Sequence, residues 1–84
     1  MQKHTKAYMK AFGYEIGDYI PSEISGLPAV DIHHIDGRGK GKDVPENLIA
    51  LTRKEHERAE LRTKPYLRAE RLKEIHNNFI KTKI

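Results

Sequence analysis

Two short apolar stretches, joined by a long glycine-rich loop, restrict the fold of this chain more than any other feature. Residues 29–35 carry β-branched side chains in weak alternation and are predicted to form a strand. Residues 48–51 are a second apolar run of strand length. The intervening residues 36–46 are too many for a tight turn. The pattern therefore predicts a β-hairpin with a long connecting loop.

A helix is predicted to follow the second strand directly. Thr52 and Glu55 have the spacing of a capping box, in which each side chain bonds the backbone N–H of the other residue. The helix is expected to run from Thr52 to about Thr63, because the residue before Pro65 disfavours the α conformation. This places His56 in the first turns of the helix.

Two adjacent histidines, His33 and His34, stand near the end of the first predicted strand. Successive side chains of a strand point to opposite faces, so the two are expected to have different roles. Neutral imidazole is a common ligand of divalent transition metals, and histidine titrates near physiological pH, which also suits a general base. The pair is therefore suited to hold a metal ion and to activate a water molecule beside it.

The order and spacing of five residues resemble the motif of the HNH endonucleases, whose fold is called ββα-metal or His-Me finger. These residues are Asp31, His33, His34, Asn47 and His56. The segments AVDIHHIDG and ENLIALTRKEH are similar to the family as well, and the resemblance covers about residues 21–60. It implies an α+β fold with a hairpin-and-helix core. Small stand-alone relatives occur in phages, mobile elements and restriction systems.

The resemblance also implies a role for each residue of the motif. His33 and His56 would hold one divalent metal ion, and His34 would act as the general base. Asn47 would support the loop and orient the base, although an asparagine in such a turn also caps backbone groups. Asp31 matches an acidic residue that often precedes the histidine pair.

The expected cofactor is a single divalent metal ion. Mg²⁺ or Mn²⁺ is expected, and histidine ligands also suit Ni²⁺ and Zn²⁺. Glu60 lies four residues after His56, on the same face of the helix, so it is a third candidate ligand. Binding through water, or no role beyond solvation, are the alternatives for Glu60.

Many small HNH proteins bind a second, structural zinc ion through two pairs of cysteines. The corresponding positions in this chain are Ser22, Ser25, Thr52 and Glu55, and the chain contains no cysteine. We therefore expect no structural zinc. The turn before the first strand is expected to be held by packing of Ile24 and Leu27.

Length and charge are consistent with a small nucleic-acid enzyme. The 84 residues are predicted to form one domain, and 16 basic against 12 acidic residues give a formal charge of +4. Arg38, Lys40 and Lys42 alternate with glycines in the long loop, which suits contacts to DNA phosphates or a solvated loop equally well. No apolar run is long enough to span a membrane, and a cytoplasmic protein of a bacterial cell, phage-encoded as an alternative, is expected.

Flanking helices are predicted on both sides of the motif. The first is expected at residues 5–12, ending at Gly13, and to pack on the core. Its alternative role is a DNA-contacting arm that uses Lys3, Lys6 and Lys10. His4, which precedes it, is placed outside the metal site.

The second flanking helix is expected from Pro65 to about Phe79, with fraying after Asn77. Its apolar stripe would pack on the hairpin, on the first helix or on a second copy in a homodimer. The stripe consists of Tyr66, Ala69, Leu72, Ile75 and Phe79. His76, beside the stripe, is expected to be at the surface or half-buried.

The sequence thus predicts an endonuclease that hydrolyses DNA phosphodiester bonds. One alternative is a catalytically silent, HNH-like DNA-binding module. Another is a structural zinc domain with four ligands, but adjacent strand residues point apart, which disfavours joint ligation. The ligands in that case would be His33, His34, His56 and Glu60.

Overall fold

A computed structural model describes residues 2–60 and 67–83 of the chain as a small α+β fold with one antiparallel, two-stranded sheet and three helices. No helix in these two ranges is long and apolar enough to cross a membrane. In chain order the elements are α1 (Lys3–Phe12), β1 (Asp31–His34), a 3-10 turn (Pro45–Asn47), β2 (Leu48–Leu51), α2 (Arg53–Glu60) and α3 (Ala69–Lys83).

The two strands form the predicted hairpin. His33 lies opposite Ile49 and His34 opposite Leu48 in the antiparallel register. β2 has the predicted bounds, whereas β1 is shorter than the predicted residues 29–35. Before β1, the backbone N–H of Ala29 donates to the carbonyl of Ile20 at 2.9 Å. Ala29 therefore does not pair with β2.

Helices cover both faces of the hairpin. On one face, Leu48 and Ala50 pack with Tyr8 and Phe12 of α1. On the other face, Ile49 and Leu51 form a second cluster with residues of α3. Burial on both faces explains why every residue of β2 is apolar and buried, without the alternation of a half-exposed strand.

The N-terminal helix packs on the sheet as predicted, and its last turn ends at a glycine cap. Gly13 has φ +78°, a left-handed conformation that glycine adopts at little cost, and its N–H donates to the carbonyl of Met9. Lys3, Lys6 and Lys10 are exposed.

The predicted bounds of the C-terminal helix, 65–79, are wrong. Leu67 and Arg68 are not helical, and α3 begins at Ala69 and continues to Lys83 instead of fraying after Asn77. Two contacts explain the longer helix. Phe79 and Ile80 pack on the α1 side of the core, and the ammonium of Lys83 lies 4.9 Å from the ring centre of Tyr14. Residues 61–66 and 84 lie outside the described residues. They include the predicted end of α2 at Thr63, the predicted start of the next helix at Pro65, and Tyr66 of its predicted apolar stripe.

A hydrogen-bonded cluster joins the turn before β1 to the start of α2. Glu55 accepts from the N–H of Thr52 at 2.9 Å and from the hydroxyl of Ser22 at 2.5 Å, and its own N–H donates to the Thr52 hydroxyl at 3.2 Å. Ser22 also accepts from the N–H of Ser25 at 3.3 Å. We call Ser22, Ser25, Thr52 and Glu55 the cap cluster.

The cap cluster confirms the predicted capping box and corrects the predicted anchor of the turn. Leu27 is 60% exposed and does not hold the turn, although Ile24 packs against the core beside α3. Burial raises the pKa of Glu55, but the hydrogen bonds from Ser22 and Thr52 outweigh it and hold that pKa below its usual value. The turn is therefore fixed mainly by polar contacts to the start of α2.

His76 is fully buried, contrary to the expected surface or half-buried position. Its ring lies between the Glu23 carboxylate, at 2.7 Å, and the Pro45 carbonyl, at 2.5 Å. The Tyr8 hydroxyl donates to the second oxygen of Glu23 at 2.7 Å. These contacts tie α1, α3 and the 3-10 turn together through one buried carboxylate.

Candidate functional site

Three candidate metal ligands converge where β1 meets α2. Their ligand atoms, one each from His33, His56 and Glu60, lie within 4.8 Å of one another. β1 supplies His33, and α2 supplies the other two from adjacent turns of one face. This cluster contains the two predicted ligands and the additional candidate.

The distances in the cluster match the size of a coordination shell. Oε1 of Glu60 lies 3.6 Å from Nδ1 of His33 and 3.3 Å from Nε2 of His56. Ligand atoms that each lie about 2.1 Å from an ion are about 3.0–3.4 Å apart. The two distances from Glu60 are thus close to those of a coordination shell, and the exposed carboxylate of Glu60 has room to adjust to a cation.

His33 has the chemical state that a metal ligand needs. Burial, together with the nearby charge of His56, lowers the pKa of His33 to about 4, against the opposing effect of Glu60, so the ring is neutral at neutral pH. Its Nδ1 is buried and forms no hydrogen bond with any described residue. A buried acceptor with no partner is costly, and a cation would satisfy it. The donor set therefore fits a divalent metal ion.

Asp31 lies beside a candidate ligand and not beside the predicted general base. Its Oδ2 is 3.0 Å from Nδ1 of His56 and 3.4 Å from Nε of Arg53. Oδ2 of Asp31 forms no hydrogen bond with a described residue, so these distances are close approaches without hydrogen-bond alignment. A carboxylate behind a metal-binding imidazole fixes the ring and leaves the other nitrogen, here Nε2, directed to the ion.

His34 points to the opposite face of the hairpin from His33, as predicted, and is not part of the three-residue cluster. Its Nε2 lies 2.7 Å from Oδ1 of Asp43, in the long loop. The hydrogen bond with His34 lowers the pKa of Asp43, so this carboxylate is charged and holds the ring. The ring of His4 lies 4.6 Å away, centre to centre, and limits its rotation from the side of α1.

Asn47 organises the loop between the strands. Its Oδ1 accepts from the N–H of Asp36 at 2.7 Å, and its Nδ2 donates to the carbonyls of Gly37, at 3.2 Å, and Lys42, at 3.0 Å. Gly37 has φ +86°, which favours glycine at this sharp turn. Asn47 supports the loop, as predicted, and affects His34 only through the neighbouring backbone of Asp43.

The predicted phosphate-binding side chains lie apart from the cluster. Arg38, Lys40 and Lys42 are exposed on the loop, and none lines the groove beside the metal ligands. Two other arginines, Arg58 and Arg68, do line that groove. The loop thus offers a separate basic surface.

The residues that sequence reasoning missed are Asp43 and Arg58. Asp43 follows Lys42 in a loop whose conformation no periodic pattern predicts. Arg58 stands two residues after His56, and helical geometry alone does not direct it to the ligand face. Only Asp43 had a sequence signal, because a carboxylate near a proposed basic histidine is a common orienting partner.

Comparison with models of protein families, with curated proteins and with solved structures found no match for this chain.

Proposed function

We propose that this chain is a metal-dependent endonuclease that hydrolyses DNA phosphodiester bonds, with a ββα-metal core formed by β1, β2 and α2. One observation carries the proposal: His33, His56 and Glu60 converge from a strand and a helix, beside a second histidine held by a carboxylate. This combination of an open metal site and an oriented base is what hydrolysis of a phosphodiester requires. The resemblance of the motif to HNH endonucleases supports the same conclusion.

Each residue has a defined part in the proposed reaction. A divalent ion held by His33, His56 and Glu60 would stabilise the charge that develops on the phosphate and on the leaving oxygen. The N–H at Nε2 of His34 would donate a hydrogen bond to Asp43, which leaves Nδ1 of His34 to take a proton from the attacking water. Asp31 holds the His56 ring from behind.

The test is cleavage of supercoiled plasmid with Mg²⁺, Mn²⁺, Ni²⁺ or Zn²⁺, with an EDTA control and the variant His34→Ala. We expect metal-dependent nicking or linearisation that falls by about 10²–10⁴-fold in His34→Ala, the usual contribution of a general base. Arg71→Gln, on the exposed face of α3, is the matched control and should cut at the wild-type rate. Cleavage by His34→Ala at the wild-type rate would remove His34 as the base.

A DNA-binding module without cleavage is the second candidate. The exposed, basic loop with Arg38, Lys40 and Lys42 favours it, since this surface needs no metal to bind phosphate. A clear gel shift with no cleavage under any of the four metals would favour this function over the nuclease. A linear product that forms without a nicked intermediate would indicate that two copies act together, because the described residues form a single candidate site.

A further inference from the structure

A groove with a volume of about 890 Å³ opens beside two of the candidate metal ligands, His33 and Glu60. The end of β1, the second half of α2 and the chain around the start of α3 form its walls. Its polar walls include His33, His34 and Glu60. The groove therefore leads to the proposed metal site.

Two arginines on its walls have no carboxylate partner among the described residues. Arg58 is half-buried on α2, and Arg68 precedes α3, yet no Asp or Glu oxygen in the described ranges lies within 4 Å of either guanidinium. The stretch 61–66 contains no acidic residue. By contrast, Arg53 is paired with Asp31 and Arg71 with Glu74.

A half-buried arginine without a carboxylate partner leaves its guanidinium available to an anion, and any hydration that the group loses is not replaced by an ion pair. Its planar N–H groups match two oxygens of a phosphate in a bidentate arrangement. Arg58 lines the same groove as the candidate ligands His33 and Glu60, so an anion bound to it there lies next to the metal site. The groove is thus suited to a phosphate group that is shared between an arginine and a cation.

We infer that Arg58 and Arg68 bind successive phosphates of the DNA backbone and place one of them at the His33–His56–Glu60 cluster. This inference rests on the proposed function. It places the DNA substrate in the groove and not on the glycine-rich loop. Arg58 would hold the phosphate nearest the metal ligands, and Arg68 a neighbouring phosphate of the same strand. Both are binding residues that act before any bond is broken.

The test separates binding from cleavage. Affinity for a fluorescent DNA duplex is measured by polarisation in EDTA over a series of salt concentrations, with Arg58→Gln, Arg68→Gln and the control Arg71→Gln. We expect Arg58→Gln to weaken binding about tenfold, as for the loss of a charge-assisted hydrogen bond, and Arg68→Gln to weaken it less because its side chain is exposed. In each of these two variants the slope of log K against log salt should decrease by about 0.9, since one phosphate contact is lost.

Arg58→Lys keeps the charge but loses the bidentate geometry, so its affinity should lie between those of wild type and Arg58→Gln. Circular dichroism of each variant verifies the fold. Equal affinity and equal salt slope for Arg58→Gln, Arg68→Gln and Arg71→Gln would overturn the inference, and so would a wild type that does not bind DNA at low salt.

Failure of the inference and failure of the proposed function give different results. Wild type that cuts plasmid, with Arg58→Gln and Arg68→Gln binding normally, contradicts the inference and leaves the nuclease in place. Loss of binding in these variants, with no cleavage by wild type under any metal, retains the groove as a DNA site and contradicts the nuclease.

Discussion

Nδ1 of His76 lies 2.7 Å from Oε1 of Glu23, although the two residues are 53 positions apart, and both side chains are at most 1% exposed. Nε2 of the same ring lies 2.5 Å from the Pro45 carbonyl. Both nitrogens therefore face acceptors, and the ring donates from both only as an imidazolium. These contacts at the centre of the core join α3 to the turn that leads into Asn47 and β2.

The charge state of His76 predicts a loss of stability at alkaline pH. Burial lowers the pKa of His76, but the hydrogen bond and charge of Glu23, the Pro45 carbonyl and the charge of Glu46 outweigh it, so the pKa is raised above 6.5. A raised pKa in the folded chain stabilises the fold fully below the unfolded value, and this contribution is lost as pH rises through the folded value. The free energy of unfolding should therefore fall as pH increases above about 6.5.

The measurement is urea unfolding between pH 6 and 9 for wild type and for His76→Gln. The variant has no titrating group at this position, so its stability should change less over the same interval. Parallel curves for the two proteins would show that another group causes the pH dependence.

The cap cluster predicts a graded loss of stability. Thr52→Ala removes one helix-capping contact and should cost about 0.5–2 kcal/mol. Glu55→Ala should cost more, because it leaves the Thr52 N–H and the Ser22 hydroxyl without an acceptor, at about 1–3 kcal/mol each. Glu57→Ala, exposed on the same helix, is the control and should stay within about 0.5 kcal/mol of wild type in urea unfolding.

The contact between Asp31 and His56 predicts that Asp31 affects metal affinity. Asp31→Asn removes the charge behind the His56 ring and should weaken Mn²⁺ binding about 10–100-fold, the usual effect of a residue that supports a ligand. His56→Ala should weaken it further, since a ligand itself is lost. Isothermal calorimetry measures both, with Glu57→Gln as control. Unchanged affinity in Asp31→Asn would show that Asp31 does not position the ring.

The contact between Asp43 and His34 predicts that Asp43 affects cleavage and not metal affinity. Asp43→Asn keeps the size of the side chain but removes the charge that holds the His34 ring. Cleavage should fall by at least about tenfold, part of the total contribution of a general base. Mn²⁺ affinity should not change, because Asp43 does not contact the cluster. A variant with wild-type cleavage, or with altered Mn²⁺ affinity, would contradict this assignment.

Features that depend on local sequence were predicted well. The bounds of β2, the capping box at Thr52 and Glu55, the glycine cap at Gly13 and the opposite directions of His33 and His34 all follow from contacts or periodicities within a few residues. Glu60 was a candidate ligand for the same reason, since helical spacing alone places it beside His56.

Features that depend on distant partners were not predicted. Glu23 lies in an irregular turn, and nothing near it in sequence shows that its carboxylate meets His76 in the core. The bounds of α3, from Ala69 to Lys83, depend on the packing of Phe79 against α1. Asp43 belongs to a loop whose path is set by the side chain of Asn47.

His33 and His34 point to opposite faces of the hairpin. The loop and the strand β1 therefore differ in how well they tolerate an added residue. A residue added at exposed Lys40, between the Asn47 contacts to Gly37 and Lys42, lengthens a connection that already lies at the surface. A residue added within β1 would move every following side chain to the other face and exchange the two histidines. A change of length is therefore compatible with the site near Lys40 and incompatible with it within the four residues of β1.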